Sequence, residues 1–557
     1  MMKKVLAGVV LSSMFYSSVA FAAAGYDVNL DPGASLNQLK DYFDRELTAM
    51  NLEEGKKVAA TQVKSEKSSV EETKTDVKAF KLKDLTIDES KVLTQDELKA
   101  IKSYYIGKDA SLNDLYAILD KINEIYAKKG NFTCRAFLPP QTIKNGIVHI
   151  KLIEGTNGTT IVSGNKHTKA EYIKNRMRIV KGEIPTLDQL NKDILRFNAT
   201  NDAQLRIVMN KGKEVGTTDY ELVLQEPQNS VVTVFTDVAG NRNTGIWRGG
   251  VFYNIRSLSG NRDNLSLGYV GSQGTHSGSI AYSTPVNRMG TKVNVAFSAN
   301  TVRSIRDLGY KTKGNAQSLS LGVSQPLITT AKTRSEVFLE YNHQKSKTEM
   351  TDPINYTLVD DKTNEFALGF AMTNYGKSHL IYQRHSLVHG NVSYGVRDQN
   401  TTAENYNLYR GAAIYQKAYQ HGQQINARME LQKSFKENVP SSRSFYIGGM
   451  NTVRGYYENF LAADGGFFLS TEYQVPITKD KKTSAYVSMD YGRLFGENRM
   501  SENIDRHLWS AGFGFKSVFA QKFFANLAFA FPLKKSFDGM DETASRMRIH
   551  FLLTGQM

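Results

Sequence analysis

The sequence is poor in the residues that cross-link chains and build metal centres. Its 557 residues include a single cysteine, Cys134, which excludes an intramolecular disulfide framework and any multi-cysteine zinc or iron–sulfur site. Proline is scarce, with 11 residues, whereas 28 tyrosines and 28 phenylalanines supply more apolar surface than a wholly disordered chain has. The composition predicts ordered domains that fold without covalent or metal staples.

Motifs of the common enzyme classes are also missing. We find no Gly-x-x-x-x-Gly-Lys-Ser/Thr phosphate loop, no Gly-x-Ser-x-Gly elbow and no His-x-x-x-His pair on a predicted helix. The formal charge is +15, but the lysines and arginines are dispersed and accompany no nucleic-acid recognition motif. The sequence therefore predicts a protein that is not an enzyme, has no cofactor and no metal, and does not bind nucleic acid.

The first residues indicate export from the cytoplasm. Lys3 and Lys4 precede an apolar run from Val5 to Tyr16, and an Ala-x-Ala pattern closes the segment near Ala22. This order predicts a cleaved signal peptide at 1–23. No later run of 18 or more apolar residues follows, so the mature chain is predicted to be either a secreted soluble protein or a β-barrel that spans a membrane.

Residues 24–50 contain one helical signal, and residues 51–76 contain none. After Pro32-Gly33, apolar residues recur at spacings of three and four, which predicts an amphipathic helix over Ser35–Met50. Its apolar positions are Leu36, Leu39, Phe43, Leu47 and Met50. The Lys-, Glu-, Ser- and Thr-rich segment 51–76 is typical of a flexible linker, so the short helix is expected to dock on a larger body.

Residues 77–227 predict two small α+β modules with the same order of elements, β-α-α-β-β. In 77–157 the helices are expected near Gln95–Tyr105 and Ser111–Lys128, with strands around them. The second helix is specified by a cap at Ser111, by an apolar face that includes Leu115, Ile118 and Ile122, and by Gly130 at its end. In 158–227 the corresponding helices are expected near Lys169–Ile179 and Thr186–Phe197. A duplicated unit of about 70 residues indicates an array of modules.

The segment 228–557 has a different texture. It is built from alternating segments such as Leu265–Val270, Val293–Phe297 and Val337–Tyr341, separated by polar turns. Alternation over about ten residues is typical of an outer-membrane barrel, and the length allows roughly 16 strands. A soluble sandwich or propeller shows the same alternation and remains the alternative.

One segment of this region carries a resemblance. Phe445–Tyr456 contains Gly448-Gly449 followed by Val453, Arg454, Gly455 and Tyr456. This pattern resembles the hairpin of the outer-membrane translocases that insert or export proteins. The resemblance implies that the hairpin folds back into the barrel lumen and that Arg454 pairs with the aspartate of an Asp-x-Gly motif, here Asp490 and Gly492.

A second segment indicates which branch of that superfamily is involved. The residues Pro140, Gln141, Gly146, Glu154 and Gly155 resemble the motif in the first polypeptide-transport-associated (POTRA) module of two-partner secretion transporters. The resemblance implies two periplasmic POTRA modules, a removable plug helix at Ser35–Met50 and a monomeric barrel in the outer-membrane lipid of a diderm bacterium. In that family a barrel usually ends in an aromatic residue. Here Phe551 lies six residues before the end, so either the last strand overhangs or its recognition differs.

The function that the resemblance implies is export without ATP. The partner would be a large protein, exported unfolded, whose N-terminal secretion domain folds into a β-helix at the surface. Two alternatives stay open: an outer-membrane assembly factor of the same superfamily, and a passive porin or nutrient receptor. A porin would need neither the duplicated modules nor the Val-Arg-Gly-Tyr hairpin.

Overall fold

The computed structural model describes residues 30–37, 79–306, 309–395, 405–436, 439–498, 506–520, 522–537 and 544–557. The chain divides into two units: one spans Thr61–Pro227, and the other combines Met1–Ala60 with Gln228–Met557. The predicted signal peptide at 1–23 and linker at 51–76 lie outside the described residues. Among the described residues, no helix is both long and apolar enough to cross a bilayer.

The first module is a three-stranded sheet covered by two helices. Its elements are β1 Phe80–Lys81, β2 Asp84–Ile87, α1 Gln95–Tyr105, β3 Asp109–Ala110, α2 Leu112–Lys128, β4 Cys134–Phe137 and β5 Ile147–Glu154. β5 lies between a parallel β2 and an antiparallel β4. Both helices begin with a capping box, at Thr94 and Ser111, and Gly130 follows α2 with a positive φ of 76°.

The second module repeats this arrangement. Its elements are β6 Thr156–Ser163, α3 Ala170–Lys174, α4 Leu187–Thr200, β7 Gln204–Lys211 and β8 Thr217–Gln225. β8 lies between a parallel β6 and an antiparallel β7, as β5 does in the first module. Helix α3 is shorter than the predicted Lys169–Ile179, because Asn175 ends it and Ile179 instead packs against the module core from a loop.

The apolar face predicted for α2 forms the core of the first module. Leu115, Ile118 and Ile122 are buried there against Val148 and Ile150 of β5. The second module has its own core around Ile194, Phe197, Leu205 and Leu222. Each module thus buries a separate apolar core, as the repeat predicts.

The segment from Ser230 onward forms a closed antiparallel barrel, which confirms the predicted barrel of about 16 strands. Sixteen long strands and the short β20 follow one another in sequence order, and β9 closes the barrel by pairing with both β10 and β25. The strands are β9 Ser230–Asp237, β10 Arg248–Arg256, β11 Asn264–Gly271, β12 Thr275–Pro285, β13 Lys292–Arg303, β14 Lys311–Thr329, β15 Thr333–Asp352, β16 Tyr356–Tyr375, β17 His379–Tyr394, β18 Asn405–Ala418, β19 Gln424–Ser434, β20 Phe445–Ile447, β21 Leu461–Pro476, β22 Thr483–Asn498, β23 His507–Phe519, β24 Phe523–Pro532 and β25 Arg548–Gln556.

Alternation along each strand separates an apolar outer surface from a polar lumen. On β21, Leu469 and Tyr473 are exposed on the outside, whereas Glu472 and Gln474 are buried inside. On β23, the outward Phe513 and Phe515 alternate with the buried, lumen-facing Lys516. An apolar outside around a polar inside is the arrangement that lipid requires.

The pairing of the last strand contradicts the first of the two explanations for the non-aromatic chain end, that the strand overhangs. Residues after Phe551 do not overhang, because Leu552–Gln556 pair with β9 and Met557 exchanges two backbone hydrogen bonds with Val232. These residues close the barrel. Phe551 therefore lies inside a paired strand, and the residues that follow it are part of the closing contact with β9.

Candidate functional site

Residues 448–460 form a loop between β20 and β21 that lies inside the barrel. Gly448, Gly449 and Gly455 all have positive φ values, of 107°, 114° and 90°, which residues other than glycine rarely adopt. Asn459 also has a positive φ, and Glu458 accepts a hydrogen bond of 2.6 Å from the N–H of Met450. These turns fold the segment back on itself, and we call 448–460 the lumenal hairpin.

Arg454 at the tip of the lumenal hairpin pairs with Asp490 of β22. Its Nε and one terminal nitrogen donate to the two carboxylate oxygens of Asp490, both at 2.7 Å, and its own backbone N–H donates to the same carboxylate at 3.0 Å. Both side chains are buried. This is the bidentate geometry in which an arginine–carboxylate pair gains both energy and direction.

Two further charged residues, which the sequence reasoning missed, complete the network. The other terminal nitrogen of Arg454 donates to Glu472 of β21 at 2.5 Å, and Glu472 in turn pairs with Lys516 of β23. Ser470 donates to Asp490 at 2.8 Å. Two buried cations thus face two buried carboxylates, so the net charge of this four-residue network is zero.

The neighbours of Arg454 fix the hairpin against the barrel wall. The N–H of Gly455 donates to His550 Nε2 at 3.2 Å, and the hydroxyl of Tyr456 donates to the carbonyl of Trp509 at 2.8 Å. Val453 and Tyr456 are buried in an apolar cluster with Phe468 and Leu494. Together these contacts hold the hairpin tip on strands β21–β25.

The surroundings of Gly492 show why the Asp-x-Gly motif has a glycine at this position. A Cβ at this position would lie 2.9 Å from Val453 Cγ2 and 3.0 Å from Ile447 Cγ2. A side chain at position 492 would push the hairpin away from β22. Gly492 thus provides the space that lets Asp490 reach Arg454.

A second set of contacts surrounds the N-terminal segment. The described residues 32–37 are helical, and Asp31 caps them by accepting hydrogen bonds from the N–H groups of Gly33 and Ala34 at 2.7 and 3.3 Å. The helix therefore begins three residues before the predicted Ser35, with Pro32 in its first turn, a position that proline favours. The sequence signal for this start was the Asp31-Pro32 pair.

The same aspartate attaches the segment to the barrel lumen. Ser441 and Ser346 donate to Asp31 at 3.0 and 3.2 Å, and Asn37 donates to the carbonyl of Ser442 at 2.8 Å. Leu36 is fully buried. The other predicted plug residues, Leu39, Phe43 and Leu47, lie outside the described residues.

The turn that binds this segment is itself attached to the barrel wall. Arg443, two residues after Ser441, forms a buried ion pair of 2.9 Å with Glu365 of β16 and donates to Gln344 of β15 at 3.1 Å. Tyr406 of β18 donates to the same Glu365 at 2.9 Å. The turn Ser441–Arg443 therefore joins the N-terminal segment to three strands of the barrel wall.

The predicted POTRA motif residues stabilise the first module and do not converge on one site. Glu154, at the end of β5, accepts hydrogen bonds from Ser90, from the N–H of Lys91 at 2.8 Å and from Tyr126 at 2.8 Å. Burial alone would raise the pKa of Glu154, but these hydrogen bonds outweigh it and lower the pKa below its ordinary value of 4.5. Glu154 ties the segment before α1 to the sheet.

The other motif residues act at separate places around β5. Gly146 has a φ of 74°, and a Cβ there would meet the carbonyl of Lys81 at 2.3 Å. The N–H of Gly155 donates to the carbonyl of Thr133 at 3.2 Å, and a Cβ at Gly155 would meet the same carbonyl at 2.8 Å. Pro140 is exposed in the turn before Gln141.

The Glu154 contacts give a prediction for stability. In a fragment of residues 77–227, Glu154→Gln is expected to lower the free energy of unfolding by about 1–3 kcal/mol at neutral pH, because it leaves the buried Tyr126 hydroxyl poorly paired and weakens the bonds from Ser90 and Lys91. The folded-state pKa of Glu154 is lowered, so its stabilisation is present above pH 4.5 and is lost as the pH falls through the folded-state value.

Urea unfolding at about pH 7 and about pH 3 measures this difference. The gap between wild type and Glu154→Gln is expected to narrow at the lower pH. Glu171→Gln, whose side chain is 76% exposed, serves as the control and is expected to change little. An equal gap at both pH values would contradict the assignment.

Cys134 has the properties of a structural thiol. It is buried, and burial together with the nearby Glu154 charge raises its pKa to about 11. The thiol is therefore protonated at neutral pH, and a protonated thiol is a poor nucleophile. In the part of the chain that the structure describes, no group of three or more His, Cys, Asp or Glu side chains is placed to hold a metal ion.

A closed sixteen-stranded barrel with a buried hairpin arginine, joined in one chain to two β-α-α-β-β modules, defines an outer-membrane translocase. Comparison with known families agrees with this class. The haemolysin secretion/activation protein family ShlB/FhaC/HecB matches residues 216–517, and the ShlB-type POTRA domain matches residues 80–155. The chain belongs to this family of two-partner secretion transporters.

Individual relatives are distant in sequence but similar in length. The heme/hemopexin transporter protein HuxB of Haemophilus influenzae is 24% identical over 478 residues, which cover 80% of this chain and 82% of the relative. The outer membrane transporter CdiB of Dickeya dadantii is 20% identical, covering 78% and 80%. The solved structure of CdiB from Escherichia coli has the same fold, with a TM-score of 0.67 at 16% identity, over 94% of this chain and 98% of that one.

These matches confirm the family resemblance seen in the two motifs. The protein is an outer-membrane transporter with a β-barrel and POTRA modules, which are periplasmic in this family.

Proposed function

We propose that this chain exports one large partner protein, in unfolded form, from the periplasm to the cell surface without ATP. The observation that carries the proposal is the buried Arg454–Asp490 pair, which holds a loop inside the lumen of a barrel. A passive pore needs no such internal element, whereas a channel for an unfolded chain needs a fixed surface along its path. The partner's folding at the surface supplies direction, because a folded product cannot return.

The lumenal hairpin has the role of a fixed guide in this proposal. Its tip is held by charge pairs to β21 and β22 and by Tyr456 to β23. The balanced charges of Arg454, Glu472, Asp490 and Lys516 keep the network stable while a polar chain passes beside it. Loss of one partner would leave a buried charge and release the hairpin.

The N-terminal segment has the role of a removable plug. Its described residues contact the lumen through hydrogen bonds from the hydroxyls of Ser441 and Ser346 to Asp31 and from the amide of Asn37 to a carbonyl, and none of the ion pairs found among the described residues involves residues 30–37. Such hydrogen bonds contribute about 0.5–3 kcal/mol each, the most where the acceptor is charged, so a few of them can break on a functional timescale. The Arg443–Glu365 pair remains in place in the barrel when the segment leaves.

The two modules have the role of capturing the partner. Each module presents a three-stranded sheet with outer strands, and an extended chain can add to such an edge through main-chain hydrogen bonds. Capture by main-chain contacts suits a partner that arrives unfolded. It also accounts for a module array in a protein whose pore lies in the barrel.

The assembly-factor alternative within the superfamily is not favoured, since the family match is to haemolysin secretion proteins. The two proposals differ in what fails when the chain is removed. Loss of an exporter removes one protein from the surface, whereas loss of an assembly factor depletes many barrels.

Comparison of the surface proteins of cells with and without this chain tests the proposal. We expect the loss of one large secreted protein, which then accumulates or is degraded in the periplasm, while the other outer-membrane barrels keep their levels. An unchanged set of surface proteins would refute export, and a general depletion of barrels would favour assembly. The protein that is lost is the partner for the experiments below.

A further inference from the structure

The two modules differ in how much of their outer sheet edge is available to another chain. In the first module one edge strand is β2 and the other is β4, which has only four residues. The outward N–H groups of Cys134 and Ala136 are already bonded, to the carbonyl of Asn131 at 3.1 Å and to Oδ1 of Asn123 at 2.8 Å. Pro139 and Pro140 follow and have no N–H to donate.

Where β4 ends, a side chain takes over its pairing with β5. The amide of Gln141 donates to the carbonyl of His149 at 2.6 Å and accepts from the N–H of the same residue at 2.8 Å. One side-chain amide therefore replaces one strand residue. The outward N–H groups of β4 are therefore both in use, and its pairing with β5 continues through Gln141.

The second module begins its edge in the same way. The amide of Asn198 on α4 accepts from the N–H of Leu205 at 2.6 Å and donates to its carbonyl at 3.0 Å. Asn198 and Asn123 hold the same position, counted from the first residues of α4 and α2. In both modules an asparagine on the second helix thus caps the start of the edge strand.

Beyond Leu205 the edge of β7 is open. The N–H of Gly212 bonds to Thr217, so the even-numbered residues point toward β8 and the odd-numbered ones point outward. Ile207, Met209 and Lys211 therefore present outward backbone groups, and no strand among the described residues pairs with that side of β7. The other edge strand, β6, has its start covered, because the backbone of Asn157 bonds to Gly182 and Glu183.

The side chains beside this open edge indicate what it binds. Arg206, Lys211 and Lys213 are exposed around it, and Val208 presents an apolar side chain on the uncovered face of the sheet. An added strand with acidic and apolar side chains would meet both kinds of surface.

We propose that the edge of β7 from Ile207 to Lys211 binds one extended, acidic and apolar segment of the exported partner, and that Asn198 ends the pairing at Leu205 and so fixes its register. Of the two modules to which capture is assigned above, the second then supplies the strand pairing through β7, whereas the outward N–H groups of β4 in the first are already bonded. This inference rests on the proposed export function.

A pair of variants at one position tests the main-chain contact. Met209→Pro removes an outward N–H that no strand of the chain uses, a position where an edge strand tolerates proline. Export of the partner in cells carrying the full chain is expected to fall about tenfold, the effect of losing one or two main-chain hydrogen bonds. Met209→Ala removes the side chain but keeps the N–H, and is expected to lose less export than Met209→Pro; an equal loss in both variants would contradict the main-chain contact.

Photo-crosslinking provides a second measurement that does not depend on the proline. We would place p-benzoylphenylalanine at Val208, at Ile153 or at the exposed Ile161 of β6, in the full-length chain, and identify adducts with the partner. The matched pair is Val208 and Ile153. These residues are both 43% exposed, on equivalent faces of the two sheets. We expect adducts from Val208 and none from Ile153, whereas equal adducts from both, or adducts from Ile161 of β6 alone, would overturn the inference.

The outcomes separate this inference from the proposed function. If deletion of the chain leaves the surface proteins unchanged, the export function itself fails. If the partner disappears on deletion but Met209→Pro exports it normally and Val208 gives no adduct, export stands and only the assignment of the β7 edge is wrong.

Discussion

Replacing Arg454 with alanine is expected to reduce surface partner at least tenfold while the barrel remains inserted in the outer membrane. The change removes every side-chain contact of the hairpin tip with Asp490 and Glu472 and leaves both carboxylates buried. An uncompensated buried charge costs about 3–5 kcal/mol. We expect this cost to exceed the stabilisation that the remaining hairpin contacts provide, so the hairpin is released. The sixteen-strand ladder does not depend on this residue, so insertion is expected to persist.

The measurement is partner at the cell surface, normalised to the amount of folded barrel. Arg384→Ala is the matched control, because Arg384 also pairs with a carboxylate of the barrel, Glu340, at 2.6 Å, but far along the sheet from the hairpin. Arg454→Lys keeps the charge without the bidentate geometry and is expected to fall in between. Wild-type export by Arg454→Ala would remove the hairpin from the mechanism.

Deleting Ser35–Met50 is expected to enlarge the resting conductance of the pore severalfold without stopping export. The described residues of this segment lie in the lumen, where Leu36 is fully buried and Asn37 donates to the carbonyl of Ser442 at 2.8 Å. Removing the predicted plug helix is therefore expected to open a water path, while the hairpin and the β7 edge remain intact. Single-channel recording in planar bilayers, combined with the surface assay, measures both effects.

A milder variant checks that the lumenal contacts hold the segment. Asp31→Ala removes the helix cap and both hydroxyl contacts and is expected to increase the frequency of channel opening, without the full increase in conductance. Asp480→Ala in the exposed turn between β21 and β22 is the control. Conductance unchanged by the deletion would show that the segment is not a plug.

The sequence indicated the architecture because the signals were local and repeated. Strict alternation marked the barrel strands, and helix α2 could be placed to within a residue from its apolar spacing, its Ser111 cap and Gly130. The pairing of Arg454 with Asp490 was implied by the resemblance of the Val-Arg-Gly-Tyr and Asp-x-Gly motifs to those of the outer-membrane translocases, and the structure contains this contact.

The residues that were missed depend on register between distant strands. Glu472 reaches Arg454, and Lys516 reaches Glu472, only because β21, β22 and β23 align Ser470 with Asp490 and Asp490 with Ser510. Alternation on β21 could have shown that Glu472 faces the lumen, but not which charge it meets. Gln141 was singled out as a motif residue, but its pairing with His149 could not be predicted, and Asn198 was missed altogether, because a side-chain amide that imitates a strand residue leaves no periodic signal.

Transport into liposomes tests the central claim most directly. The purified full-length chain is reconstituted into lipid vesicles, and the unfolded partner is added outside without nucleotide. The account predicts that partner becomes protected from added protease only in vesicles that carry the wild-type chain, and that Arg454→Ala vesicles protect little of it. Equal protection in vesicles without the chain, or a requirement for ATP, would contradict the claim that this barrel is itself the export channel.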